Sequence, residues 1–327
     1  MDGSTPPLTI WAVSDGRAGI EAQALGLAAA VARLRPASVE TKRIAWRFGL
    51  GRLPYSLNIA PRRTLADPKM ITPPWPDIWI ATGRATLPLS TRIRRWSRGR
   101  AFVVQTQDPG VGLTAFDLIL PPTHDRLAGD KVFSIIGAPN RLTPEILAGN
   151  LGRFRARIDP RPHPRVALIV GGRSKAHDLS DARAATLADQ VAEAVAASGG
   201  ALLLSFTRRT PPGARRIIAE RLAHLPGWIW DEQSENPYFA FLAAADVIMV
   251  TEDSANLACD AAATGKGVYV LGMDGHSAKL ARLHADLRAQ GAARPFDGQI
   301  APWTYAPLRE TDRAAAELLA RFDAWRR

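Results

Sequence analysis

Cysteine and long apolar runs are both scarce in this chain of 327 residues. Its one cysteine, Cys259, excludes an intramolecular disulfide and favours a reducing compartment. The longest apolar stretch, residues 239–250, is interrupted by Asp246 and falls short of the roughly 20 residues that a membrane-spanning helix needs. The first residues lack the basic start and apolar core of a signal peptide. We therefore expect a cytoplasmic protein whose contact with a membrane is peripheral.

Acidic residues are also in short supply. The chain holds 42 Lys and Arg against 31 Asp and Glu, which gives a net charge of +11. Residues 1–150 carry 19 of the basic and 11 of the acidic side chains, and therefore most of the excess. The first half is thus the part expected to meet an anionic partner or surface.

Two basic segments with interleaved aromatic residues carry much of this charge. One runs from residue 84 to 100 and contains no acid. The other contains Lys42, Arg43, Trp46, Arg47, Phe48, Arg52, Tyr55, Arg62 and Arg63. Such segments can dock on anionic lipid headgroups or on nucleic acid, or they can form a solvated arginine face. We favour an anionic membrane surface over nucleic acid, because no nucleic-acid-binding motif is recognisable.

Short apolar runs alternate with helical periodicities along the whole chain, a pattern typical of parallel α/β sheets. Candidate strands are residues 8–13, 77–81, 102–105, 116–120, 132–136, 166–170, 201–205, 247–250 and 268–271. Candidate helices are residues 20–35, 180–198, 255–263 and 307–327. Polar residues repeatedly follow the strands, at the edge where open α/β sheets bind ligands.

A proline-rich stretch divides this pattern in two. Pro160, Pro162 and Pro164 exclude a helix around them and are typical of a linker between domains. The sequence therefore predicts two Rossmann-like domains, residues 1–150 and 166–327, joined by a linker at 151–165. The terminal helix is assigned to the second domain. Two such domains that face each other would form a cleft able to hold two substrates.

The chain is organised around residues 245–270, where a buried strand runs into a capped helix. Thr251, Glu252, Asp253 and Ser254 follow the strand, and Gly265 is placed to end the helix. Free backbone N–H groups and the helix dipole at such a corner favour phosphate. The two acids would repel a diphosphate unless they face a sugar hydroxyl or the helix cap. The alternative is a well-capped helix with no ligand.

Several segments, in the same order, resemble the plant "elongated mitochondria" fission-factor family, which includes many bacterial members. They are the helix around Gln23 and residues 14–16, 102–105, 124–125, 170–172, 205–211, 229–231, 236–237 and 251–270. That family is similar to GT-B nucleotide-sugar glycosyltransferases, which have two Rossmann-like domains. The resemblance implies that the second domain holds the donor and the first presents the acceptor.

The resemblance also implies which residues hold the nucleotide-sugar donor, for which a UDP-linked sugar is expected. They are Gly171, Gly172, Arg173, Ser205, Thr207, Arg208, Arg209, Trp230, Asn236, Thr251, Glu252, Asp253, Ser254 and Asn256. Gly171 and Gly172 would let the backbone approach the diphosphate, with charge from Arg173 and Lys175. Arg208 and Arg209, which follow the candidate strand at residues 201–205, could neutralise a leaving diphosphate without a metal. That pair could also be two ordinary surface arginines.

The other implied contacts concern the nucleoside and the sugar. Trp230 and Asn236 would lie near the nucleobase and ribose. Ser254 and Asn256 would contact phosphate or ribose, and one acid of the pair 252–253 would meet donor hydroxyls. The sequence contains no Asp-x-Asp pair or clear metal triad, so neither a metal nor another cofactor is expected.

An inverting transfer also needs a base for the acceptor hydroxyl. The candidate catalytic residues are Asp15, Asp108 and His124, which all follow strands of the first half; Asp125 is an alternative to His124. Asp15 ranks first, although it could instead cap a helix, and His124 could be structural. Inverting and retaining chemistry both stay open.

The leading hypothesis is a glycosyltransferase on the inner face of the cytoplasmic membrane, acting on a lipid or lipid-linked saccharide of the cell envelope. A nucleotide-sugar epimerase or hydrolase, or a non-catalytic binding protein, could use the same fold.

Overall fold

The computed structural model of the chain describes residues 6–47 and 57–327. Its strands are β1 (Leu8–Ser14), β2 (Ala37–Arg43), β3 (Ile78–Thr82), β4 (Phe102–Thr106), β5 (Leu118–Leu120), β6 (Arg165–Val170), β7 (His177–Asp178), β8 (Ala201–Phe206), β9 (Gly227–Ile229), β10 (Val247–Thr251), β11 (Val268–Leu271), β12 (Asp274–Gly275) and β13 (Ala293–Pro295). Its α-helices are α1 (Ala18–Leu34), α2 (Pro61–Thr64), α3 (Leu87–Trp96), α4 (Pro144–Ile158), α5 (Asp181–Ser198), α6 (Pro212–Leu222), α7 (Tyr238–Ala244), α8 (Ala255–Ala262), α9 (Ala278–Ala289) and α10 (Glu310–Arg326).

These elements form two compact units. The first unit combines Met1–Arg141 with Arg309–Arg327, and the second comprises Leu142–Leu308.

The first unit is built on a parallel sheet with the strand order β2-β1-β3-β4-β5. Every residue of β3 and β4 is buried, as expected for central strands covered on both faces. On one face, Leu27 and Val31 of α1 and Phe322 of α10 complete a core in which the ring centroids of Phe102 and Phe322 lie 5.7 Å apart. The other face buries Trp79 together with apolar residues of α3.

The second unit repeats the plan with six parallel strands in the order β13-β11-β10-β6-β8-β9. Leu187 and Val191 of α5 and Ile218 of α6 pack on one face of this sheet. The ring centroids of Trp228 in β9 and Phe241 in α7 lie 5.0 Å apart. A short antiparallel ladder joins β7 to β12 beside the main sheet.

The division of the chain differs from the predicted one. Residues 151–158 are not linker, because Thr143 caps an α-helix that continues to Ile158 before the prolines end it. The terminal helix α10 belongs to the first unit, where it packs on α1 and where Asp323 accepts two hydrogen bonds of 2.7 Å from Arg35.

The strands also differ from the prediction in two ways. Residues 132–136 form only isolated bridges, from Val132 and Ile135 to the stretch around β5. β2, β9 and β13 were not predicted. All three are outer strands, each of which pairs with only one neighbour. Outer strands are less buried and therefore have a weaker apolar signal, as the mostly exposed β2 illustrates.

Candidate functional site

Three loops meet at the carboxyl edge of the second sheet. They follow β6, β8 and β10, which are neighbours in the order β10-β6-β8 and run parallel. Their strands therefore end at the same edge, and hydrogen bonds then tie residues 171–173, 207–210 and 251–253 to one another. The structure thus brings together the parts of the predicted donor site that lie farthest apart in sequence.

The carboxylate of Asp253 is the centre of this arrangement. Its side chain is fully buried, and it accepts hydrogen bonds from the Thr251 hydroxyl at 2.6 Å and from the Gly172 N–H at 3.1 Å. The Arg209 guanidinium lies 2.7 Å from the same carboxylate and is 40% exposed. Asp253 is therefore occupied as an internal anchor for Arg209, and the expected contact with a donor hydroxyl does not fit this burial.

Gly171 and Gly172 serve this packing. A Cβ atom on Gly171 would stand 2.1 Å from an oxygen of Asp253, and one on Gly172 would stand 2.0 Å from the carbonyl oxygen of Arg209. Their N–H groups are also taken, by the Thr251 hydroxyl at 2.7 Å and by Asp253. The glycines let three loops approach each other closely, which differs from the expected approach of their backbone to a diphosphate.

The loop after β8 is fixed to the loop after β6. The Thr210 hydroxyl lies 3.0 Å from the carbonyl oxygen of Val170 and 2.6 Å from that of Gly171. The N–H of Thr207 donates to Val170, and the N–H of Arg173 donates to the carbonyl of Arg209, at 2.9 and 3.0 Å. Arg209 is therefore held by its backbone as well as by its side chain.

The loops after β6 and β8 carry four cationic side chains, which are Arg173, Lys175, Arg208 and Arg209. Arg173 forms a two-pronged ion pair with Asp178, whose pKa is lowered by those hydrogen bonds. Arg208 and Lys175 are exposed, and the described part of the chain gives neither of them an ionic partner. The carboxylates nearby are thus occupied, whereas cationic groups remain available to an anion.

The Glu252 carboxylate, which was expected to bind donor hydroxyls, contacts the loop after β11 instead. Its carboxylate accepts the Met273 N–H at 2.5 Å, and its carbonyl oxygen lies 3.0 Å from Nε2 of His284. Burial lowers the pKa of His284, which favours the neutral imidazole. Arg183 adds a 2.8 Å hydrogen bond to the carbonyl of Gly272. Together these residues fix the loop after β11, and no sequence signal linked them beforehand.

Three other residues of the predicted donor site differ in how far they are buried. The Ser254 hydroxyl caps α8 by accepting the Leu257 N–H. Asn256 is half-buried in the first turn of that helix. Ser205 is 3% exposed within β8.

Trp230 and Asn236 stand in the loop after β9. The Trp230 indole donates to the carbonyl of Ser234 at 3.2 Å, and Asp231 accepts hydrogen bonds that close this loop and lower the pKa of its carboxyl group. The Asn236 side chain accepts the Tyr238 N–H at 2.9 Å, at the start of α7. The indole is thus fixed in orientation, whereas the Asn236 side chain closes a turn just before α7.

The first unit separates the candidate bases. Asp108 and His124 follow the neighbouring strands β4 and β5, but Asp15 follows β1, which β3 separates from β4. Both oxygens of Asp15 are engaged by Arg17, at 2.7 to 3.2 Å. His124 is only 3% exposed. Asp108 is exposed and uses one oxygen to accept the Gly110 N–H at 2.7 Å.

Part of the predicted basic surface is used internally. Lys42 is buried, pairs with Glu40 and lies 4.2 Å from the ring centroid of Trp11. Arg43 pairs with a carboxylate of α1, and Arg47 donates to a carbonyl. Three of the predicted residues lie outside the described residues: Phe48, Arg52 and Tyr55. Within residues 6–47 and 57–327, no helix has the length and apolar character needed to cross a bilayer.

Solved structures share this architecture across nearly the whole chain. The kitacinnamycin glycotransferase is 14% identical with a TM-score of 0.51, over 98% of this chain and 95% of its own. The UDP-GlcNAc 2-epimerase of Methanocaldococcus jannaschii is 10% identical with a TM-score of 0.50, over 96% and 92%. At such identities the likeness concerns the fold alone. The chain has the GT-B-type α/β fold with a C-terminal helix.

The sequence comparison then gives the family. A family model described as "Mitochondrial fission ELM1" matches residues 18–322, so the chain belongs to that family. The mitochondrial fission protein ELM1 of Arabidopsis thaliana is 31% identical over 274 residues, which cover 74% of this chain and 63% of the plant protein. The chain thus spans less than two thirds of that relative. An uncharacterized protein of Rickettsia prowazekii is 26% identical over 356 residues, covering 94% of this chain and 97% of its own.

Proposed function

We propose that the protein is a metal-independent glycosyltransferase that uses a nucleoside-diphosphate sugar, with UDP as the expected nucleotide. The observation that carries the proposal is Arg209, whose guanidinium is anchored by the buried Asp253 and remains 40% exposed at the carboxyl edge of a parallel sheet. A cation that is already oriented can stabilise the charge that develops on a leaving diphosphate. The exposed Arg208 beside it supplies a second cation.

The transfer step follows from this arrangement. In the inverting case the acceptor oxygen bonds to the anomeric carbon, and the bond from that carbon to the β-phosphate oxygen breaks. The nucleoside diphosphate leaves with the bonding electrons, stabilised by Arg208 and Arg209, and the acceptor proton passes to a carboxylate. Asp108 is our candidate for this base, because Arg17 occupies both oxygens of Asp15 and His124 is buried. The anomeric configuration of the product distinguishes inversion from retention.

We further propose a lipid or lipid-linked saccharide of the cell envelope as the acceptor, with the first unit on an anionic membrane surface at the inner face of the cytoplasmic membrane. The support is the basic character of that unit, in which residues 84–100 carry six arginines and no acid.

The proposal is tested by measuring donor binding and sugar transfer separately. Thermal denaturation with a panel of nucleotides should show stabilisation by one nucleoside diphosphate, because a ligand at 100 times its Kd adds about 2.7 kcal/mol. Radiolabelled transfer to membrane extract should then fall at least tenfold in Arg208→Ala, since a charge-assisted hydrogen bond contributes about 1.5–3 kcal/mol. Arg216→Ala is the matched control, because Arg216 forms a solvent-exposed pair with Glu220 in the same unit. Equal transfer by both variants would contradict the proposal.

Two alternatives have specific support. A UDP-GlcNAc 2-epimerase shares this fold, so the first alternative is an epimerase or hydrolase, which would change the donor in the absence of any acceptor. The plant relative's designation as a fission protein favours a non-catalytic binding protein. Product analysis with the donor alone identifies the first alternative, and the lack of stabilisation by any nucleotide favours the second.

A further inference from the structure

The first unit contains a cavity of about 380 Å³ between α3, α2 and the residues just before α2. The residues of this pocket that matter here are Ile59, Arg62, Arg63, Arg92, Arg95 and Trp96. We call it the arginine pocket.

The charge of the arginine pocket is uncompensated. No lining residue is acidic, and the described residues give none of its four arginines an ion pair. Between residues 57 and 100 the only acids are Asp67 and Asp77. Asp67 accepts the Lys69 N–H, and Asp77 interacts with Arg326 and with residue 9. Four cations that converge without a counter-charge favour binding of an anion.

The geometry of the pocket also favours an anion. The guanidinium of Arg62 lies over two indole rings, 5.5 Å from the centroid of Trp96 and 5.6 Å from that of Trp75. Two cation–π contacts restrict the Arg62 side chain without using its N–H groups as hydrogen-bond donors to a carboxylate. Arg92 uses one N–H group on the Pro88 carbonyl of its own helix, at 3.0 Å, which restricts that side chain as well.

The rim next to the pocket is apolar and exposed. Ile59 is 83% exposed and Leu57 63%, the largest values among the exposed large hydrophobic residues that the structure describes. Inorganic phosphate or a nucleic acid would use the arginines but would leave these two side chains in water. A lipid at a bilayer surface uses both, because its phosphate meets the cations and its acyl region meets the apolar side chains.

We infer that the arginine pocket binds the phosphate headgroup of an anionic phospholipid and that Ile59 and Leu57 contact the acyl boundary of the bilayer. The inference rests on the proposed membrane contact of the first unit, but it is separable from sugar transfer, because lipid binding needs no donor.

The first experiment measures binding of the full chain to vesicles of phosphatidylcholine with or without phosphatidylglycerol. The double variant Arg92→Gln/Arg95→Gln should bind the anionic vesicles roughly thirtyfold more weakly, since each cation at an anionic surface strengthens binding about fivefold. The matched control Arg141→Gln/Arg309→Gln removes two exposed charges of the same unit outside the pocket and outside the basic segments, and it should stay near the wild type. Equal losses in the two double variants would overturn the inference.

Two further measurements separate the possible sources of the anion. Ile59→Ser should reduce the vesicle binding that survives high salt, because apolar insertion is not screened. Monomeric short-chain phosphatidylglycerol should bind the wild type and be displaced only weakly by inorganic phosphate. Equal binding of phosphate and the lipid, or preferential binding of an oligonucleotide, would overturn the inference. A wild-type midpoint of guanidinium unfolding shows, without any nucleotide, that each variant is folded, so a failed lipid result is distinguishable from a failed donor result.

Discussion

Replacement of Asp253 by asparagine keeps the size of a fully buried side chain and removes its charge. The carboxylate accepts hydrogen bonds from Gly172 and Thr251 and pairs with Arg209. An asparagine has one acceptor oxygen, and its NH₂ group would face a donor. Breaking a buried ion pair costs about 3–5 kcal/mol, but the partial exposure of Arg209 lets water compensate its charge. We therefore expect Asp253→Asn to lower the free energy of unfolding of the second unit by about 2–4 kcal/mol.

Guanidinium unfolding followed by tryptophan fluorescence is the assay, with the midpoint expected to fall at unchanged slope. The pair is isolated by a double-mutant cycle with Arg209→Gln. If Arg209 is anchored by the carboxylate, Arg209→Gln should have a smaller effect in the Asp253→Asn background than in the wild type, and the coupling should be about 1–3 kcal/mol. Additive effects, or a wild-type midpoint for Asp253→Asn, would refute the reasoning. Asp253→Asn should also weaken binding of the nucleoside diphosphate, because Arg209 loses its fixed orientation.

Three other outcomes follow from named contacts. Gly171→Ala should destabilise the second unit by about 2 kcal/mol or more, because its Cβ would overlap a buried carboxylate, whereas Gly149→Ala on the open surface of α4 should be neutral or stabilising in the same unfolding assay. Burial lowers the pKa of Lys266 to about 8, so between pH 8 and about 10 the unfolded chain binds a proton that the folded chain lacks. The free energy of unfolding of the wild type relative to Lys266→Met should therefore rise with pH in this window. A difference that does not change with pH would contradict this prediction. Asp108→Asn should slow transfer roughly a hundredfold or more without changing the melting temperature; a normal rate would exclude Asp108 as the base.

The alternation of strands and helices could be predicted because buried parallel strands have an apolar signal of their own. β6, β8 and β10 were located to within one residue, since their side chains are buried on both faces. The affiliation of α10 could not be predicted in the same way. Its apolar stripe shows that it packs on something, but the partner is a helix almost 300 residues earlier, and only the folded chain defines that pairing.

The candidate site shows the same limit at the level of side chains. The sequence placed Gly171, Arg209 and Asp253 after three strands, and sheet order alone explains why those strand ends are adjacent. It could not show that the acid lies beneath the arginine, because burial of Asp253 depends on two glycines some 80 residues earlier. Read in isolation, an acid pair at a helix start is expected to repel a diphosphate. Once Asp253 is buried against Arg209, its charge holds a partly exposed cation at the carboxyl edge of the sheet, so in the proposed function the same residue supports binding of the diphosphate.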